Sequence, residues 1–255
     1  MNLAFRKFPV IFAALILIHT SCYRDAIDLD LDGIGSQVVI EGIVTDQSGP
    51  YTVKISKPVN FKRASEFLPI SHADVMISDD SGNSETLHES QAGYYRTHNM
   101  QGFPGKTYSL NVSIGGEKYS AISTMPEAID LDSIGFISYG QVSIICYFTD
   151  PAGVKNYCRL KVFQNGELVY TYLYQDRYSD GQQIVIDDIE TNFNHGDHVE
   201  IQFMTINKAT FEYFETINDA QVTLVTLYNP KTNLSNNALG YFSAHALRRY
   251  TFIVQ

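Results

Sequence analysis

The chain has 255 residues, with 18 Lys+Arg against 28 Asp+Glu, a net charge of −10 and three cysteines. That length holds one large domain or two modest ones, and a composition of 44% hydrophobic and 18% charged residues belongs to a globular chain rather than a disordered one. The acidic balance argues against a nucleic-acid partner, whose binding rests on Lys and Arg neutralising phosphates.

The N-terminus reads as an export address. Arg6 and Lys7 form a short positive region, and residues 10–18 are an unbroken apolar run. The run is too short to span a bilayer comfortably, which favours a removable signal over a transmembrane helix. Cys22 follows His19, Thr20 and Ser21. A small residue before a cysteine, after an apolar stretch, is the pattern of a bacterial lipoprotein signal; His19 departs from the usual Leu-type residue. Residues 1–21 are therefore expected to be removed and Cys22 to be lipidated. The alternative is an ordinary secretory signal that leaves Cys22 a free thiol. Removal takes two positive charges and no acid, moving the net charge from −10 to −12. Acyl chains contribute about 0.8 kcal/mol per buried CH₂, so several of them hold a protein stably on a membrane. Residues 22–36 are acidic and read as a tether, or in part as a short edge strand carrying Ile27, Leu29 and Leu31.

From Val38 the apolar pattern has period two. Residues 38–45 form a mostly apolar run, and a turn signal at Asp46-Gln47-Ser48-Gly49-Pro50 follows it. Tyr51, Val53 and Ile55 alternate with polar residues as a half-buried strand does. Residues 73–78 predict another strand, with a turn at 79–83. Tyr108, Leu110, Val112 and Ile114 alternate strictly, and Gly115-Gly116 closes a two-residue hairpin into residues 118–123. Met125-Pro126-Glu127 marks a boundary, because proline cannot donate within a continuing strand. Strands follow at 141–149, 157–163 and 168–174, the last pair joined at Asn165-Gly166. Val199, Ile201 and Phe203 give another strand, and Tyr250, Phe252 and Val254 close the chain. Between them Asn207 is an N-cap for an amphipathic helix near 208–220, with Ala209, Tyr213, Ile217 and Ala220 at helical spacing. The aromatic content, Tyr 17 and Phe 15 with Trp 0, suits a pleated surface. The expected fold is mainly β: a β-sandwich over residues 37–125, then a second antiparallel β domain over 126–255 that carries the one helix.

Cys146 and Cys158 lie symmetrically about the turn at Asp150-Pro151-Ala152-Gly153. A simple hairpin there would set them opposite each other, both facing inward. An exported protein meets an oxidising compartment, which permits a disulfide between them. Against it, only some ladder positions suit a bridge, and an unpaired cysteine behaves as a small buried hydrophobe.

Catalytic motifs are absent from the sequence. It contains no Gly-x-Ser-x-Gly elbow, no His-Glu-x-x-His, no phosphate-cradling glycine loop and no Cys-x-x-Cys. His195-Gly196-Asp197-His198 offers imidazoles and a carboxylate but reads first as a polar loop. Asp79, Asp80, Asn83 and Glu85 offer oxygens but lack the spacing of a calcium loop, and turns attract Asp and Asn for backbone reasons. No metal, cofactor or catalytic residue is assigned. Tyr170, Tyr172 and Tyr174 share one strand face, where core packing is the ordinary explanation. Arg248-Arg249 is too short a basic patch for nucleic acid.

Several segments, in their order, carry a resemblance: Cys22 with its acidic tether, Val38-Val39-Ile40-Glu41-Gly42, residues 49–56, Ala73-Asp74-Val75, Gly93-Tyr94-Tyr95, residues 105–110, Asp132-Ser133-Ile134, Asn229-Pro230, Asn233-Leu234-Ser235 and Leu239-Gly240-Tyr241-Phe242. Together they resemble a family of Bacteroidota outer-membrane lipoproteins of unknown function, over essentially the whole mature chain. The first module is also similar to Ig-like sandwiches of the carboxypeptidase-regulatory or transthyretin-like kind. Members of the family are often encoded beside TonB-dependent outer-membrane transporters. The resemblance thus implies a surface or outer-membrane lipoprotein, anchored by lipid, that is an accessory of nutrient uptake beside such a transporter; the expected role is to bind that transporter or an unknown small ligand. The acidic stretch after Cys22 is similar to a surface-export signal of that phylum. Asp132-Ser133-Ile134 is similar to its O-glycosylation pattern, with Ser133 as acceptor. Two other readings stand beside this one: an adhesive or structural surface lipoprotein, and a hydrolase whose site has no sequence motif.

Overall fold

The computed structural model describes residues 37–58, 67–138, 142–187, 189, 191–222 and 229–255. The signal at 1–21, Cys22 and the tether at 22–36 lie outside them. The first module contains β1 (Val39–Thr45), β2 (Thr52–Lys57), β3 (Leu68–Pro69), β4 (Asp74–Asp79), β5 (Ser84–Thr86), β6 (His88–Gln91), β7 (Tyr94–Arg96), β8 (Thr107–Ile114) and β9 (Glu117–Thr124). The second contains β10 (Ser133–Ser138), β11 (Val142–Thr149), β12 (Tyr157–Gln164), β13 (Glu167–Gln175), β14 (Gln183–Ile186), β15 (His198–Thr205), α1 (Lys208–Val222) and β16 (Leu239–Ile253). The fold is mainly β, with strands and the helix close to where the apolar periods place them. Asn207 caps α1, its Oδ1 accepting the Thr210 N–H at 2.9 Å.

The strands form three sheets. A nine-stranded sheet runs β13-β12-β15-β16-β1-β2-β7-β6, with β3 added beside β2. A four-stranded sheet, β5-β4-β8-β9, and a three-stranded one, β10-β11-β14, complete two sandwiches. The first core holds Ile40, Val53, Ile77, Leu110 and Phe242, and the second holds Ile144, Phe148, Leu160, Ile201 and Phe203. In β16 the even positions Phe242 and Ala244 enter the first core, while Tyr250 and Phe252 pack against the second. Because strand side chains alternate faces, both short sheets cover the same face of the large one. The opposite face carries α1, through a small cluster of Tyr157, Met204, Ile206, Phe211 and Leu247.

β16 joins the modules. Its first half pairs in parallel with β1, from Val39↔Leu239 to Thr45↔His245. Its second half pairs antiparallel with β15, from Thr205↔Ala246 to His198↔Ile253. Where a strand neighbour is missing, side chains complete the ladder. Asn233 brackets Phe242, its Nδ2 donating to the carbonyl at 2.8 Å and its Oδ1 accepting the N–H at 3.0 Å. Ser123 Oγ accepts the Ala244 N–H at 2.7 Å. Past the end of β1, Asp46 Oδ1 accepts the Leu247 N–H at 2.8 Å, and Gln47 Nε2 donates to the Leu247 carbonyl at 3.0 Å. Buried backbone groups left unpaired are costly, so these contacts let one strand change partners mid-course.

Several expectations change here. The cores divide near Met125, but residues 36–255 form one compact unit. The first core is finished by Leu234, Ala238, Phe242 and Ala244 from the C-terminal end, so a cut at 125/126 would open it. Met125 is itself buried in that core, and the following linker is packed rather than free, with Ile129 and Leu131 inside the second. In Asp132-Ser133-Ile134, Ser133 opens β10 opposite Tyr147 and is exposed. The hairpin expected between β11 and β12 does not form. β11 pairs with β10 and β14, and β12 with β13 and β15. Cys146 faces Ile186 across one ladder while Cys158 faces Tyr174 and Thr205 across others, and both are buried free thiols in the second core. The turn crosses between sheets because both strands bury an apolar face, which a flat hairpin would leave half uncovered.

Arg248 locks the partner change. Its Nη1 donates to Asp46 Oδ2 at 2.6 Å and its Nε to Asp130 Oδ1 at 2.7 Å, tying β16 to the first module and to the linker. Burial acts to raise the Asp46 pKa, but Arg248, the Leu247 N–H and Gln47 outweigh it and hold the carboxyl below its ordinary value. The stabilisation is therefore present above about pH 4 and fades as pH falls through the folded value. Arg248→Met is expected to cost about 1.5–3 kcal/mol in urea unfolding, the range for a hydrogen bond to a charged group. Asp46→Asn should cost a similar amount at pH 7 and progressively less as pH falls below about 4 and through the folded value.

Candidate functional site

A cleft of about 250 Å³ opens on the face of the large sheet opposite the two cores, beside α1. Period two in β12 turns Cys158, Leu160 and Val162 into the core and so turns Arg159 and Lys161 out into the cleft. In β16 the odd positions Tyr241, Ser243, His245 and Arg249 join them. The helix adds Thr210 and Phe214, one turn apart on the side facing the sheet.

The charges in this cleft are one-sided. Arg159, Lys161 and Arg249 line it, and no Asp or Glu does. Arg249 has a distant partner in Glu200 at 3.5 Å. Arg159 and Lys161 have no carboxylate partner among the described residues. The Arg159 guanidinium lies 3.6 Å over the Phe214 ring, and its buried Nε has no acceptor. Thr210 Oγ1, also buried, has no partner either. Burial pushes the Arg159 pKa down, against the pull of the Tyr241 and Tyr213 phenols. Burial and then the Arg159 charge push Lys161 down. Both shifts mark cations held in low dielectric without an anion to balance them.

His245 and Ser243 sit at the floor. Ser243 Oγ lies 3.0 Å from His245 Nδ1. Burial, followed by the Lys161 charge, lowers the imidazole pKa to about 4. Serine and histidine in contact suggest a hydrolytic pair, but Ser243 is only 1% exposed, so its hydroxyl has no room to attack a substrate. It orients the imidazole instead.

The residues singled out in the sequence lie elsewhere. Asp197 spends its oxygens on the Asn194 N–H and on the Gln164 and Asn165 amides, as a turn residue does. Asp79 accepts the Ser81 and Asn83 N–H groups, and Glu85 accepts those of Asn99 and Met100. Tyr174 is buried edge-on to Phe148 at 5.1 Å, with Tyr170 and Tyr172 packed partly against the same core. The Cys146 thiol is pushed up to about 12 by burial, and that of Cys158 is raised further by burial and the Asp150 charge, so neither is a nucleophile. Arg159, Lys161 and His245 were not anticipated. Their one signal was a charged or ionisable residue inside a strongly apolar alternation.

The family described as "Domain of unknown function (DUF4249)" matches residues 24–251. The chain belongs to that family. No curated protein matches this chain. Among solved structures, a two-domain fibronectin type III segment of chicken tenascin matches at 12% identity, over 67% of this chain and 90% of that one, with a TM-score of 0.21.

The cleft carries a pH signature. The His245 value is near 6.5 when unfolded and about 4 when folded, so folding favours the neutral ring. That stability is full above about pH 6.5 and is lost as pH falls towards 4, on the order of 3 kcal/mol at about 1.4 per unit. His245→Gln keeps a partner for Ser243 and should flatten the unfolding free energy over that window, leaving the acid limb of the carboxylates.

Proposed function

We propose that this protein is a lipid-anchored binding component of the outer membrane that seats a small anionic ligand in the cleft between β12, β16 and α1. The observation that carries the ligand reading is the imbalance: a chain of net charge −10 keeps Arg159, Lys161 and Arg249 around one cavity with no acid among them. Burying an unpaired cation costs several kcal/mol, and such a cost persists where an incoming anion cancels it. The planar Arg159 fork, held flat on Phe214, suits a carboxylate or phosphate approaching its edge, with Lys161 as a second point charge. The volume suits a small molecule rather than a polymer.

Anchoring through Cys22 rests on the signal pattern of residues 6–22, which lies outside the described structure. Among the described residues no helix is long and apolar enough to cross a membrane. Partnership with a TonB-dependent transporter rests on the family resemblance, and the binding-module reading rests on the charge and shape that the cleft offers. Adhesion is the second reading, favoured by exposed apolar residues on strands such as Phe136, Val185 and Ile253.

Calorimetric titration of the mature chain with small carboxylates, phosphate esters and sulfate esters tests the cleft. One class is expected to bind, with Arg159→Met and Lys161→Met each weakening it at least tenfold and Arg249→Met weakening it less. A wild type that binds none of them moves the weight to adhesion. Mass spectrometry of native membranes should find Cys22 acylated and a large outer-membrane barrel co-purifying in mild detergent. Cys22→Ser should release the protein into the soluble fraction.

A further inference from the structure

At one end of the second sandwich three carboxylates converge from two loops. Asp150 follows β11, Asp176 follows β13, Asp180 precedes β14, and one oxygen of each lies within 4.8 Å of the others. Both loops cross between sheets: residues 150–156 pass from the three-stranded sheet to the large one, and 176–182 pass back. They are laced together by the Asp150 N–H to the Gln182 carbonyl at 2.9 Å, the Asp176 N–H to the Asn156 carbonyl at 3.0 Å and the Gly153 N–H to Asp180 Oδ1 at 2.6 Å.

What sets this cluster apart from the other acidic turns is that both oxygens of Asp150 and one of Asp176 are idle. Asp150 is 1% exposed and Asp176 2%, and both Oδ atoms of Asp150 and Oδ1 of Asp176 are buried without a hydrogen-bond partner. Asp79 and Asp197 spend theirs on N–H groups. Lys155 gives its ammonium to the Asp176 main-chain carbonyl at 3.1 Å and pairs with no carboxylate among the described residues. Two buried carboxylates side by side repel each other and pay desolvation as well. Burial, then the Asp176 charge, raises the Asp150 pKa, with the neighbouring Gly181 N–H and Asn156 amide opposing the shift.

We infer that Asp150, Asp176 and Asp180 form a calcium site that staples the two inter-sheet crossings of the second sandwich. The donors are all carboxylate oxygens, with no imidazole or thiolate among them, which selects a hard cation over zinc or copper. Three carboxylates set irregularly on two loops suit the larger and more permissive shell of Ca²⁺ better than the strict octahedron of Mg²⁺. None of the three carboxylates lines the cleft, so the inference does not rest on what the cleft binds.

Equilibrium binding of calcium to the full mature chain, paired with thermal unfolding in EGTA and in about 5 mM CaCl₂, tests it; affinities of extracellular calcium modules run to about 10⁻⁴–10⁻³ M. One ion per chain and a higher unfolding midpoint in calcium are expected. Asp180 is exposed, so Asp180→Asn should leave the calcium-free midpoint near wild type while weakening binding at least tenfold. Asp150→Asn removes a repelling charge and should raise the midpoint in EGTA while abolishing the response to calcium. No bound calcium on folded wild type overturns the inference, as does an Asp180→Asn that binds normally. An equal response to magnesium overturns the assignment to calcium, and two carboxylates that merely share a proton would give no response to either ion.

Discussion

One strand must satisfy two sheets, and most of the architecture follows from that. A backbone N–H or carbonyl buried without a partner costs about as much as a lost hydrogen bond, and β16 has 15 residues of such groups with neighbours that change at residue 245/246. The sequence meets this with side chains placed where strands stop: Asn233 and Ser123 on one edge, Asp46 and Gln47 on the other. Gly240 serves the same end. Its φ of +96° lies in the left-handed region, and a Cβ there would come within 2.1 Å of the Ile40 carbonyl oxygen. Only glycine lets β16 enter the sheet that close to β1.

The cleft is a consequence of this sharing. Between Phe242 and Leu247 the strand is buried on both faces, because the cores press on one side and α1 with its neighbours on the other. A helix of 15 residues is too short to cover the second face of so wide a sheet. What it leaves beside it is a hollow floored by Ser243 and His245 and walled by β12. Polar residues survive there because the hollow is not a core, and their desolvation is real because it is not open surface. That intermediate dielectric is the setting in which an unpaired arginine has most to gain from an anion.

The strands, the hairpin at Gly115-Gly116, the helix and its Asn207 cap were legible because each is written in local periodicity. The first half of β16 was not, since residues 242–247 are buried on both faces and their small, polar and apolar residues give no clean alternation to count. The same blindness hid the crossing between β11 and β12: spacing alone placed Cys146 and Cys158 symmetrically about a turn, and nothing local says that the turn changes sheets. Arg159 and Lys161 stood in plain view as the polar half of an alternating strand. Only the topology, which brings that half against His245 and α1 instead of solvent, makes them a site. The Asp150–Asp176–Asp180 cluster spans residues on three strand ends, and its partners are fixed by crossings that the sequence does not announce.

Satisfaction separates functional charge from decorative charge in this molecule. Most carboxylates examined by their contacts are occupied: Asp46 by Arg248 and the Leu247 N–H, Glu85 by a row of main-chain donors, Glu212 by Lys231 and Lys208. Those groups hold the fold together and have nothing left to offer a ligand. Two places break the pattern with opposite sign, cations without acids in the cleft and acids without cations at the sandwich end. They do not pair with each other, because the cations face out of the large sheet beside α1 while the acids sit on the loops that join β12 and β13 to the other sheet. A chain under selection for stability alone would lose both sets to neutral, well-packed residues, which replace buried charges at little or no cost. Their persistence is most simply explained by what each would bind.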